Sequence, residues 1–143
     1  MSNFSRFMKA NKKTKPNVKY AATASLCDEN GKPLDWEIRR LSSKEVDEIR
    51  DECSYETQVV GKPGVYRIKL KSSLYMARIV AASVVFPDLY DKELQDSYGV
   101  AQPWDLVQAM VDDPGEYADF IGFVQTFQGF DKDMKDKVEE AKN

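Results

Sequence analysis

One apolar segment organises the fold of this 143-residue chain: Leu74–Phe86, with the sequence LYMARIVAASVVF. Only Arg78 and Ser83 interrupt it, and a helix without a polar face is usually buried on all sides. So short an apolar run could instead be a buried strand, but its alanines favour a helix. The two serines before it can cap the helix, and Pro87 ends it because the residue before a proline avoids helical backbone angles. The segment therefore predicts a buried central helix, too short to cross a bilayer.

The chain after this segment is predicted to be helical. A short capped helix stops at Gly99, and Pro103 suits the first turn of the next helix, in which Trp104 and Val107 keep helical spacing. The final residues 131–142 predict a mostly charged helix that is either a frayed tail or a lightly docked arm. Between the helix that begins at Pro103 and the final charged helix, another helix is predicted, because apolar residues recur at helical intervals at Tyr117, Phe120, Ile121, Val124 and Phe127.

The first half of the chain predicts a β-hairpin followed by a helix. Residues 18–26 and 34–39 alternate between apolar and polar side chains, and Asn30-Gly31 provides the turn between them. Leu34, Trp36 and Ile38 are expected to face inward. Ser42 and Glu45 then have capping-box spacing and open a helix that runs to about residue 53.

A second hairpin is predicted at residues 57–70, with a turn at residues 61–64. In this hairpin Tyr66, Ile68 and Leu70 are expected to face the core of a sheet shared with the first hairpin. The predicted fold class is α+β. A small antiparallel sheet of β-hairpins packs on a helix-rich core, and the C-terminal half is all helical.

The N-terminal residues predict a separate element. Residues 2–9 are expected to form a short amphipathic helix with Phe4, Phe7 and Met8 on one face, and a polar linker closes at Pro16. We therefore divide the chain into a helix with a basic linker at residues 1–16 and a single domain at residues 17–143. Residues 1–20 carry six bases and no acid. A solvated linker explains this charge better than nucleic-acid binding, because aromatic residues do not alternate with the bases.

The composition argues against catalysis. Histidine is absent from the chain, which removes the commonest general base and the commonest metal ligand. The sequence contains no phosphate loop, nucleophile elbow or metal-ligand spacing, so we expect no enzyme, no metal and no cofactor. Cys27 and Cys53 are expected to be buried or half-buried thiols in a reducing cytoplasm. No signal-peptide pattern precedes the domain, so a soluble intracellular protein is expected.

Several segments together resemble one known family, the XkdN-like phage tail assembly chaperones of Gram-positive bacteria. Glu93–Val100, ELQDSYGV, is the most specific, since generic helix chemistry does not demand that string. The resemblance is interrupted at residues 23–27 and 126–128, and it covers nearly the whole chain in order. Its other segments are Asn17–Tyr20, Asp28–Arg39, Arg50–Cys53, Gly61–Gly64, Ala81–Leu89, Pro114–Tyr117 and Val138–Asn143.

This resemblance implies a non-catalytic role in phage tail assembly. Such chaperones coat the tape measure protein, a long helical rod with exposed apolar surface, and keep it soluble until tail-tube subunits polymerise around it. The implied partners are the tape measure protein, a longer frameshifted form of the chain, the tail-tube protein and further copies of the chain itself, with no nucleic acid and no membrane. The implied location is the cytoplasm of the bacterial host, not the mature virion.

An acidic, helix-rich domain can offer an apolar groove to amphipathic helices. The residues expected to contact such a client or a second copy are Phe4, Phe7, Met8, Trp104, Val107, Tyr117, Phe120 and Val124. Alternatively, the two aromatic stripes, which are the apolar helix faces that contain Trp104 and Tyr117, simply pack on the central helix. The alternative for the whole chain is a structural tail-completion or tube-associated virion protein.

Overall fold

The first predicted hairpin is present in the computed structural model, which describes residues 3–130. Strand β1 (Val18–Tyr20) pairs antiparallel with β2 (Trp36–Ile38), and Gly31 occupies the turn with a positive φ of 80°. The strands are shorter than predicted, and Leu34, expected to face inward, is 45% exposed. Trp36 and Ile38 are buried as predicted.

After the chain leaves the sheet at the end of β1, a carboxylate from far along the sequence holds it by two hydrogen bonds. The Thr23 hydroxyl donates to Glu116 Oε1 at 2.7 Å, and the Ala24 amide donates to Glu116 Oε2 at 2.8 Å. Thr23 is thereby buried, although alternation placed it on the polar side. This contact joins the first hairpin to a helix that begins some ninety residues later.

Helix α1 (Ser43–Glu52) begins with the predicted capping box. Ser42 Oγ accepts from the Glu45 amide, and the Glu45 carboxylate accepts from the Ser42 amide, each at 3.1 Å. Cys53, at the end of the helix, is buried as expected. Cys27 is exposed instead, because it lies in the turn of the first hairpin, and its thiol donates to the Ala24 carbonyl.

Glu45 also pairs with Arg39, and this contact makes stability depend on pH. The hydrogen bond from the Arg39 guanidinium lowers the pKa of Glu45 to about 2. Because the folded pKa lies below the unfolded value near 4.5, the stabilisation is complete above that value and is lost as the pH falls towards 2. Both side chains are more than a third exposed, so solvent screening limits the contribution to about 1 kcal/mol or less.

Glu45→Gln is therefore expected to lower the free energy of unfolding by up to about 1 kcal/mol at pH 7 and by almost nothing near pH 2. Glutamine can keep the capping box, so the variant removes mainly the charge. Urea unfolding at a series of pH values measures the difference. Glu48→Gln on the exposed side of α1 removes the same charge from a side chain that makes no ion pair within residues 3–130. An equal loss in that control would contradict the assignment to the Arg39 pair.

The second hairpin is present but forms a separate sheet. Strand β3 (Ser54–Gln58) pairs antiparallel with β4 (Tyr66–Leu70), and neither strand pairs with β1 or β2. The prediction that Tyr66, Ile68 and Leu70 face a shared sheet core is wrong, since they are 59%, 75% and 36% exposed. Alternation marks one face of a strand as apolar but does not say what covers it.

The central apolar segment is a helix that turns into a strand. Helix α2 (Ser72–Ser83) has Lys71 at its N-cap, with no side-chain capping bond, so the predicted serine cap is absent. Ile79 and Val80 are fully buried, which confirms the central position of the helix. It ends three residues before the predicted boundary, and β5 (Val84–Phe86) pairs antiparallel with β2. Two consecutive valines favour extended structure, and β2 offers an open edge at this point.

The helices of the C-terminal half agree with the prediction. Asp91 caps α3 (Lys92–Ser97), Pro103 begins α4 (Pro103–Met110), and Asp113 caps α5 (Pro114–Gln128). Gly99 and Gly129 follow α3 and α5 with φ of 68° and 81°, the left-handed geometry that suits glycine at a helix end. The helix predicted at residues 131–142 lies outside the described residues.

The end of α5 is attached to the rest of the core through Gln128. Its amide nitrogen donates to the Arg39 carbonyl at 2.8 Å and to Ser83 Oγ at 2.9 Å, and its oxygen accepts from the Leu41 amide at 2.9 Å. One side chain therefore satisfies polar groups at the ends of β2 and α2. The three-stranded sheet β1-β2-β5 and the helices share one core, which confirms the α+β class. The boundary at residue 16 stays a prediction.

Candidate functional site

Three helices surround an open cleft on the surface of the domain. Helix α2 forms one wall, and α4 and α5 form the others. The cleft has a volume of about 320 Å³, at the small end for binding pockets, so it suits one or two side chains of a partner rather than a whole molecule. Its lining residues are Ser73, Leu74, Ala77, Trp104, Asp105, Gln108, Tyr117 and Ile121.

Trp104 is held in place on the α4 wall by a cation. The guanidinium carbon of Arg78 lies 4.8 Å from the centre of the Trp104 ring, within the range of a cation–π contact. Arg78 also forms an ion pair with Glu52 at the end of α1. The single charged residue of α2 therefore fixes the orientation of an aromatic side chain at the cleft.

Tyr117 provides a polar group on the α5 wall. Burial, followed by the charge of Asp105, raises the pKa of Tyr117 above its ordinary value near 10. The phenol therefore stays protonated at neutral pH and can donate a hydrogen bond. With Leu74 and Ile121 as apolar contacts and Gln108 as a polar one, the cleft can hold an apolar side chain and bond to its backbone.

Three of the residues expected to contact a partner lie in the core. Val107, Phe120 and Val124 are at most 1% exposed. Phe120 stacks on Tyr20 and meets Trp36 edge-on, with ring centroids 5.4 Å apart in both pairs. These side chains stabilise the domain and are not available on the surface. For them, the alternative interpretation applies, in which the apolar faces of the two helices pack inside the domain. Trp104 and Tyr117 are half-buried at the edges of the same stripes.

The N-terminal candidates are exposed instead. Phe4, Phe7 and Met8 are 77%, 86% and 55% exposed, so the described chain does not cover them. The expected amphipathic helix is replaced by two 3₁₀ turns, Phe4–Phe7 and Lys9–Asn11. So short a segment has little tendency to form an α-helix unless it is packed against another surface.

The sequence pointed to only part of this site. It identified Trp104 and Tyr117 but not Ala77 or Gln108, since helical spacing does not reveal which helix packs beside which. The unusual charge of Arg78 inside an apolar helix was the one available signal for the α2 wall. Among residues 3–130, no group of three or more acidic, cysteine or histidine side chains is placed to hold a metal ion. No helix in that same range is long and apolar enough to span a membrane.

Comparison with known proteins identifies the family. The sequence profile described as "Phage XkdN-like tail assembly chaperone protein, TAC" matches residues 4–142. The chain belongs to this family. The family is one of chaperone-like phage proteins and is not an enzyme family. Membership associates the chain with phage tail assembly and with prophages.

Two relatives of this XkdN-like chaperone come from Bacillus subtilis strain 168. The phage-like element PBSX protein XkdN is 28% identical over 127 residues, which cover 88% of this chain and 84% of the relative. The uncharacterized protein YqbN is 28% identical over 116 residues, which cover 81% of this chain and 76% of that relative. The crystal structure of YqbN superposes with a TM-score of 0.74 at 21% identity and covers 92% of this chain and 99% of that one. This structural likeness supports the fold alone.

Proposed function

We propose that this XkdN-like chaperone binds the tape measure protein of its own phage or prophage and keeps it soluble during tail assembly. The observation that carries the proposal is the cleft between α2, α4 and α5, which presents half-buried Trp104 and Tyr117 beside an apolar wall. Such a cleft accepts the apolar side chains that an amphipathic helix displays on one face. The role is one of binding and requires no catalysis.

The size of the cleft indicates how a long client would be covered. A volume of about 320 Å³ accommodates one anchor of a helix, so each copy covers a short segment and many copies are needed along a rod. The exposed Phe4, Phe7 and Met8 offer a second contact on the same client. Two weak contacts joined by a flexible linker bind much more tightly than either alone.

This function places the protein in the host cytoplasm before the tail is complete. The tail-tube protein would displace the chaperone, which is then absent from the finished virion. A longer frameshifted form of the chain would contribute a second domain. Mass spectrometry of purified particles distinguishes this role from that of a structural tail protein, because a virion component would remain in stoichiometric amounts.

Co-expression with the tape measure protein of the same genome tests the proposal. The tape measure protein is expected to move from the insoluble to the soluble fraction and to co-purify through a tag on this chain, with many copies per rod. An unrelated acidic protein of similar size is the control for a general effect on solubility. If the tape measure protein precipitates with this chain and also with the longer form added, the proposal is wrong.

A further inference from the structure

Two uncovered surfaces of the same chain match each other in shape. The turn Phe4–Phe7 is a 3₁₀ helix, which has three residues per turn, so Phe4 and Phe7 lie on the same side of it. They are 77% and 86% exposed, so both rings lie in water. The cleft between α2, α4 and α5 has room for one or two side chains and is lined in part by Trp104 and Tyr117. Aromatic rings favour contact with one another, so the cleft suits a phenylalanine.

The two surfaces also carry opposite charge. Residues 1–20 contain six bases and no acid, whereas residues 103–128, which form α4, α5 and their connection, contain five acids and no base. Arg78, beside the cleft, is paired with Glu52 and so adds little repulsion. Opposite charges favour contact between the N-terminal residues and this side of the domain. One of the five acids, Asp105, lines the cleft. The others are Asp112, Asp113, Glu116 and Asp119.

The acids of α5 already act on the strand that follows the N-terminal residues. Burial, followed by the charges of Asp119 and Glu116, raises the pKa of Tyr20 above its ordinary value near 10. Tyr20 belongs to β1 and stacks on Phe123 of α5, with ring centroids 4.2 Å apart. The basic segment therefore enters the domain beside an acidic helix.

The N-terminal segment is long enough to reach the cleft. Val18 lies opposite Ile38, and Ile38 lies opposite Val84, so Val18 and Val84 are two strand spacings apart, about 10 Å. Ala77 in the α2 wall is seven residues before Val84, which adds about 10 Å at the rise of a helix. The eleven residues from Phe7 to Val18 can span up to about 36 Å. This span exceeds the path of about 20 Å.

A linker of this length favours the cleft of the same chain over the cleft of another. It holds Phe7 near its own cleft at an effective concentration of about 1 mM, whatever the concentration of the protein. A second copy would have to be present at a similar concentration to compete. The occupant that fits best is therefore the segment's own chain.

We propose that Phe7 occupies the cleft of its own chain when no client is bound, with Phe4 beside it, so that a client must displace the N-terminal segment. The contact itself stands on shape, charge and reach, whereas its regulatory role rests on the function proposed above. Displacement would release Phe4, Phe7 and Met8 for their contact with the same client. The closed cleft would also reject weakly binding sequences, because occupancy by the segment lowers the apparent affinity of every ligand.

The experiment uses the full chain without a client and, as a probe, a synthetic peptide with the sequence of residues 3–12. Trp36 is 2% exposed, so quenching of tryptophan fluorescence by acrylamide reports mainly on Trp104. Phe7→Ala is expected to uncover Trp104 and so to increase its quenching relative to the wild type. If the segment fills the cleft in about four chains of five, the peptide is expected to bind Phe7→Ala about fivefold more tightly than the wild type.

Two further variants serve as controls. Phe86→Ala removes an exposed phenylalanine that does not line the cleft, and it is expected to bind the peptide as weakly as the wild type does. Adding Ala77→Glu to Phe7→Ala places a charge in the cleft and is expected to weaken binding of the peptide at least about tenfold.

The wild type alone provides two more measurements. Its quenching is expected to stay constant from about 1 μM to about 20 μM protein, since a contact within one chain does not depend on concentration. Quenching is expected to rise between about 0.05 M and about 0.5 M salt, because screening weakens the attraction between the segment and the acids.

Several outcomes would overturn the proposal. Equal quenching or equal peptide binding in the wild type and Phe7→Ala would show that the cleft is free in both. Wild-type quenching that falls as the protein concentration rises would show a contact between two copies. Undiminished binding of the peptide to the double variant would place the peptide elsewhere. None of these measurements uses the tape measure protein, so they fail or succeed separately from the co-expression test.

Discussion

Phe120→Ala is expected to lower the free energy of unfolding by about 3–5 kcal/mol, the usual cost of removing a fully buried phenylalanine ring. Phe120 is 0% exposed and lies between Tyr20 on β1 and Trp36 on β2, so its removal leaves a cavity where α5 meets the sheet. Domains of this size have a total stability of about 5–15 kcal/mol, so the loss is a large share. Chemical unfolding followed by tryptophan fluorescence and by circular dichroism measures it.

The matched control is Phe4→Ala, the same substitution at a residue that is 77% exposed. It is expected to change the free energy of unfolding by less than about 0.5 kcal/mol. A loss below about 1 kcal/mol in Phe120→Ala would contradict the packing of α5 on the sheet. A loss of several kcal/mol in Phe4→Ala would show that the N-terminal turns contact the domain.

Ala77→Glu is expected to reduce the amount of co-purified tape measure protein at least tenfold while the domain stays folded. Ala77 is half-buried in the α2 wall of the cleft. Glutamate is a good helix former, so α2 tolerates it, but its side chain fills the space and brings a second carboxylate near Asp105. An apolar anchor would then have to displace a charged group.

Ala118→Glu is the control, because it makes the same substitution at an exposed position of α5 outside the lining of the cleft. It should leave the tape measure protein soluble. The circular dichroism spectrum and the unfolding midpoint of both variants establish that they are folded. If Ala77→Glu solubilises the tape measure protein as well as Ala118→Glu does, the cleft is not where the client binds.

Features encoded by neighbouring residues could be predicted from the sequence. The capping box of Ser42 and Glu45, the turn at Gly31 and the helix end at Gly99 were all recognised, because each depends on residues a few positions apart. The change from helix to strand at Val84 was missed, since it depends on pairing with β2, more than forty positions earlier. The same limitation explains the error over Tyr66, Ile68 and Leu70.

The candidate site, like the fold, could be predicted only in part from the sequence. Helical spacing selected the apolar faces of α4 and α5, but the centre of such a face is what neighbouring elements bury, as Val107 and Phe120 show. Residues at the edges of these faces, such as Trp104, Tyr117 and Ile121, reach the surface. Which edge borders a cleft depends on the position of α2, and the contact of Arg78 with Trp104 becomes apparent only once that helix is placed.

The hydrogen bonds of Glu116 and Gln128 have a consequence for the order of events during translation. They join residues that are 93 and 87–89 positions apart, so contacts at the start of the chain wait for α5 to leave the ribosome. The cleft also needs α5 for one of its walls. A nascent chain therefore can neither anchor Thr23 and Ala24 nor complete the cleft until α5 has been synthesised, so the cleft forms in one late step.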